Sequence, residues 1–393
     1  MKKILFLFLL LFASGEVYCA GYEKILTEDA SIQSALNINP DILLQSQSVE
    51  FANHRIKEAQ SLYMPKIDFN LNASRFNNME PMILANQLSP VPIYLPDEKK
   101  DIYFSTRLSI WQSVYAGGRI RATNKLAEMN MNKAKNDSTV VKNSVVNKVK
   151  SVFNTCLFFK EKLSISGAAL EKAETLKAGK DEIMNLQMKN DLMKFNYEKE
   201  LLSLLNVIGL ELDTIVMIEG SFTPKIKKFD LNQCILWAYQ FRPEMQSTQY
   251  QESIDGLMVN LLSMQRFPTI SIGAGQEWLG DRVIGDESSW YVSINANLPI
   301  FDGGAGFARV KQGKVSAREA TLKRSKMEDQ VRLQVNTAFA EYNFWKNQAT
   351  KMKVIEKDPS KSPYTESELE IIYNLNKSYY ALELAVGIQL DSY

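Results

Sequence analysis

Two kinds of periodicity alternate along this chain, and each set occurs twice. After Pro65, the apolar residues Ile67, Phe69, Leu71 and Ala73 alternate with Asp68, Asn70, Asn72 and Ser74. Farther on, Ile102, Phe104, Thr106, Leu108 and Ile110 alternate with Tyr103, Ser105, Arg107 and Ser109. The second half repeats the pair: Ile270, Ile272 and Ala274 alternate with Ser271, Gly273 and Gly275, then Val292, Ile294, Ala296 and Leu298 with Ser293, Asn295 and Asn297. Period two over such lengths predicts four strands, each with one apolar and one polar face. Helical patterns separate them. A short helix is expected to start at the N-caps Thr27 and Asp230 and to stop before Pro40 and Pro243, because the residue preceding a proline avoids the α region. A second helix of about 24 residues then runs to Tyr63 or Arg266. The polar-apolar pattern over 118–177 predicts a helix of about 60 residues, about 90 Å long, followed by a returning helix over 181–209. Its counterparts are 304–357 and 364–387, the latter opened by Thr365 and Glu368 as a capping box.

These duplications form one internal repeat, the feature that decides the fold class of such a chain. Tyr115-Ala116-Gly117-Gly118 and Phe301-Asp302-Gly303-Gly304 lie 186 residues apart. The same offset maps Val145, Val149, Val152, Cys156, Phe159 and Leu163 onto Val331, Val335, Ala338, Tyr342, Trp345 and Ala349, with the 4, 3, 4, 3, 4 spacing of a coiled-coil seam. Upstream, Asn39-Pro40 with Pro65 matches Arg242-Pro243 with Pro268 at an offset of 203. The change of offset locates an insertion at 77–100 in the first copy. The expected division is residues 1–19 as an export signal, 20–209 as the first repeat, 210–230 as a linker and 231–393 as the second repeat. Pro65 and Pro268 stand at helix-to-strand transitions. Gly117, Gly118, Gly303 and Gly304 stand at strand-to-helix corners, where non-glycine residues would be strained. In each copy the two shorter helices together match the long one, which predicts end-to-end stacking in an antiparallel helical layer.

Composition narrows the chemistry. The 393 residues carry 46 Lys and Arg against 45 Asp and Glu, and one histidine, His54. That balance argues against a nucleic-acid binder held by phosphate electrostatics, and one histidine excludes a multi-His metal site. Lys2 and Lys3 precede an apolar run over 4–12 and the small residues Ala13, Ser14 and Gly15, the layout of a secretory signal. Cleavage is expected after Gly15 or after Cys19, and a lipidated Cys19 is an alternative with a poorly matching motif. Removing 1–19 deletes Lys2, Lys3 and Glu16 and leaves 44 basic and 44 acidic side chains. Cys156 and Cys234 fall in helical patterns and read as buried free thiols. No nucleophile elbow, complete dinucleotide fingerprint or metal-ligand cluster is present; Gly273-Ala274-Gly275 lacks the third glycine. No enzymatic activity and no cofactor are expected.

A mean hydropathy of −0.21 excludes a polytopic helical membrane protein but not a β-barrel, whose strands alternate. The predicted strands have the length and two-faced pattern of tilted transmembrane strands around a watery lumen. Four of them cannot close, and open edges are not tolerated in lipid. Three copies would supply twelve strands. Asp68, Asn70, Asn72, Ser105, Arg107, Ser293, Asn295 and Asn297 are then the candidates to face the lumen. The rival from another class is a periplasmic coiled-coil adaptor or scaffold with a small soluble sheet and no channel activity.

The Ala35-to-Pro40 segment, Pro65, Tyr115-Ala116-Gly117-Gly118-Arg119, Arg242-Pro243, Pro268 and Leu298-Pro299-Ile300-Phe301-Asp302-Gly303-Gly304 resemble, in order, the landmarks of the TolC family of outer-membrane efflux channels. The resemblance implies an α+β membrane protein whose long helical hairpins form an α-barrel in the periplasm. Four β-strands per protomer would close a 12-stranded barrel in the trimer, set in outer-membrane lipid. It further implies a passive exit duct of a tripartite pump or type I secretion system, for small molecules or polypeptides. A periplasmic adaptor and an inner-membrane pump of RND, ABC or MFS type would be its partners. The hairpins look shorter than usual. The first tip reads Leu176-Lys177-Ala178-Gly179, without the usual tip arginine, and the second is placed at 358–363. Lys177, Gly179, Lys180, Asp181, Lys357, Asp358 and Lys361 are the candidates for a periplasmic gate and adaptor contact.

Overall fold

The computed structural model describes residues 24–75, 83–84, 93–94, 102–357 and 364–390. The first half comprises β1 (Lys24–Leu26), α1 (Glu28–Ile38), α2 (Pro40–Ser61), β2 (Lys66–Arg75), β3 (Ile83–Leu84), β4 (Ile93–Tyr94), β5 (Ile102–Tyr115), α3 (Arg119–Thr175) and α4 (Lys180–Ile208). Then follow β6 (Val216–Ile218), α5 (Leu231–Phe241), α6 (Pro243–Ser263), β7 (Thr269–Gly280), β8 (Glu287–Asn297), α7 (Ala305–Lys351) and α8 (Glu366–Val386). Thr27 caps α1 by accepting the Ala30 N–H, and the Asp230 carboxylate caps α5 by accepting that of Gln233. Thr365 and Glu368 form the reciprocal capping box ahead of α8, at 2.6 Å and 3.4 Å.

The X-Pro junctions do more than stop helices. Asn39 Oδ1 accepts the N–H groups of Asp41 and Ile42, so the side chain caps α2, while its Nδ2 donates to the Val207 carbonyl at 2.7 Å. That bond brings the end of α4 to the start of α2. Gly209, at φ +92°, makes the close approach possible, since a Cβ there would lie 3.0 Å from the Ile38 carbonyl oxygen. The second copy uses an arginine instead. Arg242 donates to Gln334 at 2.6 Å and reaches the Ala385 carbonyl, and a Cβ at Gly387 would meet the Arg242 side chain at 2.8 Å.

The described residues divide into two compact units. One comprises the chain up to Leu43, Lys142–Phe229 and Thr337–Leu384. Its core is built from Phe153, Cys156, Leu157 and Phe158 of α3, Leu204, Leu205 and Ile208 of α4, and Leu369, Ile372, Leu375, Tyr379 and Leu382 of α8. The segment after β6 is strapped onto this core by side chains. The buried Tyr342 hydroxyl accepts the Lys227 N–H at 2.7 Å and donates to the Lys227 carbonyl at 2.8 Å. Asn376 likewise accepts from the Lys225 N–H and donates to the Thr223 carbonyl. Lys150 and Glu383 make a buried ion pair at 2.8 Å and 2.9 Å between α3 and α8. The other unit comprises Leu44–Val141, Asp230–Asn336 and the chain from Ala385. It holds an antiparallel four-stranded sheet of order β2-β5-β7-β8.

Several expectations are revised. The second long helix ends at Lys351 rather than 357, because Lys353 takes φ +54° and the chain enters one 3-10 turn at Val354–Glu356; a left-handed residue cannot continue the helical ladder. The strands β5 and β7 outrun their alternation, to Tyr115 and Gly280, because each finds a partner over that length. In the insertion, Ile83–Leu84 pairs with Ile93–Tyr94; the rest of 77–100 lies outside the described residues. The coiled-coil seam is buried in the second copy at Val331, Val335, Ala338, Tyr342 and Ala349, with Trp345 half-buried. In the first copy, Val145, Val149 and Cys156 are buried but Val152, Phe159 and Leu163 are only half-buried, and Phe153, Leu157 and Phe158 are buried beside them. There α3 is covered on more than one side, by α8 and by the segment around Phe222, so its buried surface is a band rather than a single seam. The parallel pair of β1 with β6 was not anticipated: three residues are too few for a periodic signal.

Candidate functional site

Register decides which side chains share a face. Asp68 pairs with Ser109, Asn70 with Arg107 and Asn72 with Ser105 across β2 and β5. Arg107 in turn pairs with Glu277, Trp111 with Gly273 and Ser113 with Ser271. Across β7 and β8, Gly273 pairs with Ser293, Ser271 with Asn295 and Thr269 with Asn297. Directly opposite residues point the same way, so all eight residues named as candidate lining, Asp68, Asn70, Asn72, Ser105, Arg107, Ser293, Asn295 and Asn297, lie on one polar face. Glu277, which the sequence did not single out, joins them. Its carboxylate accepts from Arg107 at 2.7 Å and from Ser105 at 3.2 Å, and both ends of the pair are largely buried.

The opposite face is apolar and uncovered. Ile67, Phe69 and Leu71, Leu108 and Ile110, Ile272, and Trp290, Val292 and Ile294 run across the four strands, each between 41% and 76% exposed. Thr106 on this face satisfies its hydroxyl by donating to the Val283 carbonyl. The strands β2 and β8 form the two edges of the sheet, and neither has a second neighbour among the described residues.

Where sheet hands over to helix, the double glycines take left-handed backbone: φ is +59° and +83° at Gly117 and Gly118, +66° and +86° at Gly303 and Gly304. The two corners are held differently. At the first, the chain turns tightly over Phe267, and a Cβ on Gly117 would come within 2.5 Å of the Phe267 Cβ. At the second, the Asp302 carboxylate accepts the N–H groups of Gly304 and Gly306 and pairs with Arg309 at 3.4 Å. Pro65 and Pro268 each stand one residue before a strand, β2 and β7.

The candidate tip residues fall in two groups. Lys177 lies just past α3 at φ +55°, and Gly179, Lys180 and Asp181 start α4, with Asp181 and Glu182 in its first turn, where the helix dipole favours acid. All are exposed. Asp358 and Lys361 lie outside the described residues. Near the start of α8 the charges are paired. Glu366 meets Lys189 of α4 at 2.7 Å, Glu370 meets Lys162 of α3 at 2.9 Å, and Glu368 meets Lys357 at 2.6 Å. The hydrogen bond from Lys189 holds the Glu366 carboxyl below its ordinary value. At Glu368, burial raises the carboxyl, but the hydrogen bonds from Lys357 and Thr365 outweigh it and leave it lowered.

Among the described residues no group of His, Cys, Asp and Glu is arranged to hold a metal ion. Cys156 and Cys234 are buried and free, and burial pushes both thiols up, that of Cys234 to about 11. Among the described residues no helix is long and apolar enough to cross a membrane.

Residues 31–178 match the family model described as outer membrane efflux protein. The fold is that of the TolC-type outer-membrane channels. Against the CmeC outer membrane channel of Campylobacter jejuni, the match covers 92% of this chain and 85% of that one, with a TM-score of 0.65 at 16% identity. For the outer membrane protein VceC of Vibrio cholerae the figures are 92% and 96%, 0.65 and 14%. For the open state of the MtrE outer membrane channel of Neisseria gonorrhoeae they are 92%, 89%, 0.65 and 13%. No curated protein matches the chain. The matched family and these structures are channels rather than enzymes.

Proposed function

We propose that this chain is the outer-membrane exit duct of a tripartite efflux or type I secretion assembly. The observation that carries the reading is the two-faced sheet: one face apolar and exposed, the other polar, with both edges open. Outside a bilayer such an apolar face is a liability; inside one it is the lipid contact of a barrel. Closure then requires further copies, because unpaired edge groups are intolerable in lipid.

The helices of the same unit support self-association in a ring. Leu44 and Phe51 on α2, and Val315, Leu322 and Leu333 on α7, are exposed. Spacings of seven and eleven return to nearly the same side of a helix, so each set forms a stripe. The helix α2 leads into edge strand β2, and α7 leads out of edge strand β8. The helices joined to the central strands, α3 and α6, expose no large apolar side chain in this unit except Met258. Unpartnered stripes thus sit on the two helices attached to the open edges, as a homotrimer with a 12-stranded barrel requires. Asp68, Asn70, Asn72, Ser105, Arg107, Ser293, Asn295 and Asn297 then line the lumen. Residues 1–19 serve as the export signal, and the repeats 20–209 and 231–393 flank the linker 210–230.

The helical parts extend into the periplasm and meet an adaptor protein and an inner-membrane pump of RND, ABC or MFS type. Lys177, Gly179, Lys180, Asp181, Asp358 and Lys361 form the gate and docking surface, with like charges brought together by threefold symmetry. The test is extraction of the mature protein from outer membranes in detergent, followed by mass measurement and planar-bilayer recording. A conducting trimer is expected. A soluble, non-conducting monomer would establish the scaffold instead, and charge reversal at Asp181 and Asp358 without effect on conductance would remove the gate assignment.

A further inference from the structure

Gly273 and Gly275 of β7 are the floor of a feature on the polar face: each is covered by an aromatic ring from its cross-strand partner. A Cβ on Gly273 would meet three ring atoms of Trp111 at 2.3–2.6 Å, and one on Gly275 would meet Cε1, Cζ and Oη of Tyr291 at 2.8 Å. Near-equal distances to several ring atoms mean that each ring lies flat over the glycine backbone. Trp111 reaches in from β5 and Tyr291 from β8; their centroids are 6.4 Å apart and their planes are tilted by 42°, so a flat guest lies on one ring and meets the other at an angle. Both remain half-exposed, so each turns one π face away from the sheet. In the same cross-strand row as Gly273, the Ser293 Oγ is buried without a hydrogen-bond partner.

We propose that Trp111 and Tyr291 form a stacking platform in the duct wall for planar aromatic cations, three such platforms ringing the lumen of a trimer. The proposal rests on the polar face being the lumen. Ring faces carry negative electrostatic potential and attract cations as well as other rings. On the polar face, Arg107 and Glu277 neutralise each other, and Lys66, directly across from Trp111, stands against Asp68 and Glu287, so the face keeps a net negative charge. Asp68 stands in the row of Tyr291, Gly275 and Ser109, with no ion-pair partner among the described residues. Larger side chains at 273 and 275 would lift both rings off the strand, which accounts for two glycines inside a strand where they otherwise weaken pairing.

The probe is proflavine, a flat aromatic cation, with tetraethylammonium (cation, no ring) and benzenesulfonate (ring, anion) as controls. Two measurements are made on the full-length mature protein: equilibrium dialysis in detergent, and block of single-channel current. Proflavine is expected to bind and block, and the controls are not. Trp111→Leu with Tyr291→Leu should raise the half-blocking concentration about tenfold or more with conductance retained, whereas Trp111→Phe with Tyr291→Phe should preserve block. Asp68→Asn should weaken it. Equal binding and block by proflavine in wild type and the double leucine variant, or block by tetraethylammonium as strong as by proflavine, would show that the rings merely brace the strand. Binding in detergent without any channel current would instead overturn the duct reading and leave the platform standing as a site on the sheet.

Discussion

Replacing Lys150 by methionine tests whether the two repeats are locked together by a buried charge pair. The ammonium of Lys150 donates to both oxygens of Glu383, at 2.8 Å and 2.9 Å, with 8% and 7% of the two side chains exposed. At an effective dielectric of about 20, charges about 3 Å apart attract by on the order of 6 kcal/mol. Desolvation of the two ions removes several kcal/mol each, so the net worth of the pair against an apolar pair is near zero. Removing one partner is different, since it leaves a carboxylate buried without its countercharge. K150M and E383L are each expected to destabilise by about 3–5 kcal/mol, and the double variant to return to within about 1 kcal/mol of wild type. Asn147, which donates to the Tyr380 carbonyl, stays in place in all three and keeps the α3 to α8 contact comparable. The assay is guanidinium unfolding of the detergent-solubilised protein followed by tryptophan fluorescence and circular dichroism. Single variants each costing under about 1 kcal/mol with additive effects would refute the reasoning, because that is how solvated pairs behave.

The two corners make a matched comparison. A methyl group at Gly117 adds a collision with Phe267 to the left-handed strain, whereas one at Gly303 meets nothing within 4 Å. Gly303→Ala should cost about 1–2 kcal/mol and Gly117→Ala clearly more, measured as the yield and thermal stability of the extracted oligomer; equal losses would contradict the geometry. The pairs at the start of α8 predict an acid dependence. Glu366 and Glu368 have lowered carboxyl values in the fold, against an ordinary value of 4.5. Their contribution is therefore complete above 4.5 and is lost as pH falls through the lower folded values. Screening limits each to about 1 kcal/mol or less. E366Q with E368Q should flatten stability between pH 5 and 3, and an unchanged pH profile would show that these ties contribute nothing.

Local patterns foretold local structure. Alternation at Ile67 to Ser74 and at Val292 to Asn297 set which side chains share a face, because successive residues of a strand must point oppositely. Thr27, Asp230 and Thr365 with Glu368 signalled helix starts, because orphan N–H groups need a nearby oxygen. Asn39-Pro40 and Arg242-Pro243 marked breaks through proline sterics, and the duplicated double glycines marked the corners through left-handed backbone.

Pairing between distant segments was beyond reach of those patterns. That β5 of the first repeat lies against β7 of the second is what brings Glu277 to Arg107 and Trp111 over Gly273; as a stretch of sequence, Gly273-Ala274-Gly275 says only that side chains are small. Lys150 and Glu383 read as ordinary surface charges of two helices until packing buries them together. The end of α7 at Lys351 hangs on the backbone of Lys353, a residue type with no preference for the left-handed region. Periodicity and capping act within a few residues, so the chain alone determines elements and faces. Register, burial and the company each side chain keeps depend on contacts made across hundreds of residues, and only the tertiary structure decides them.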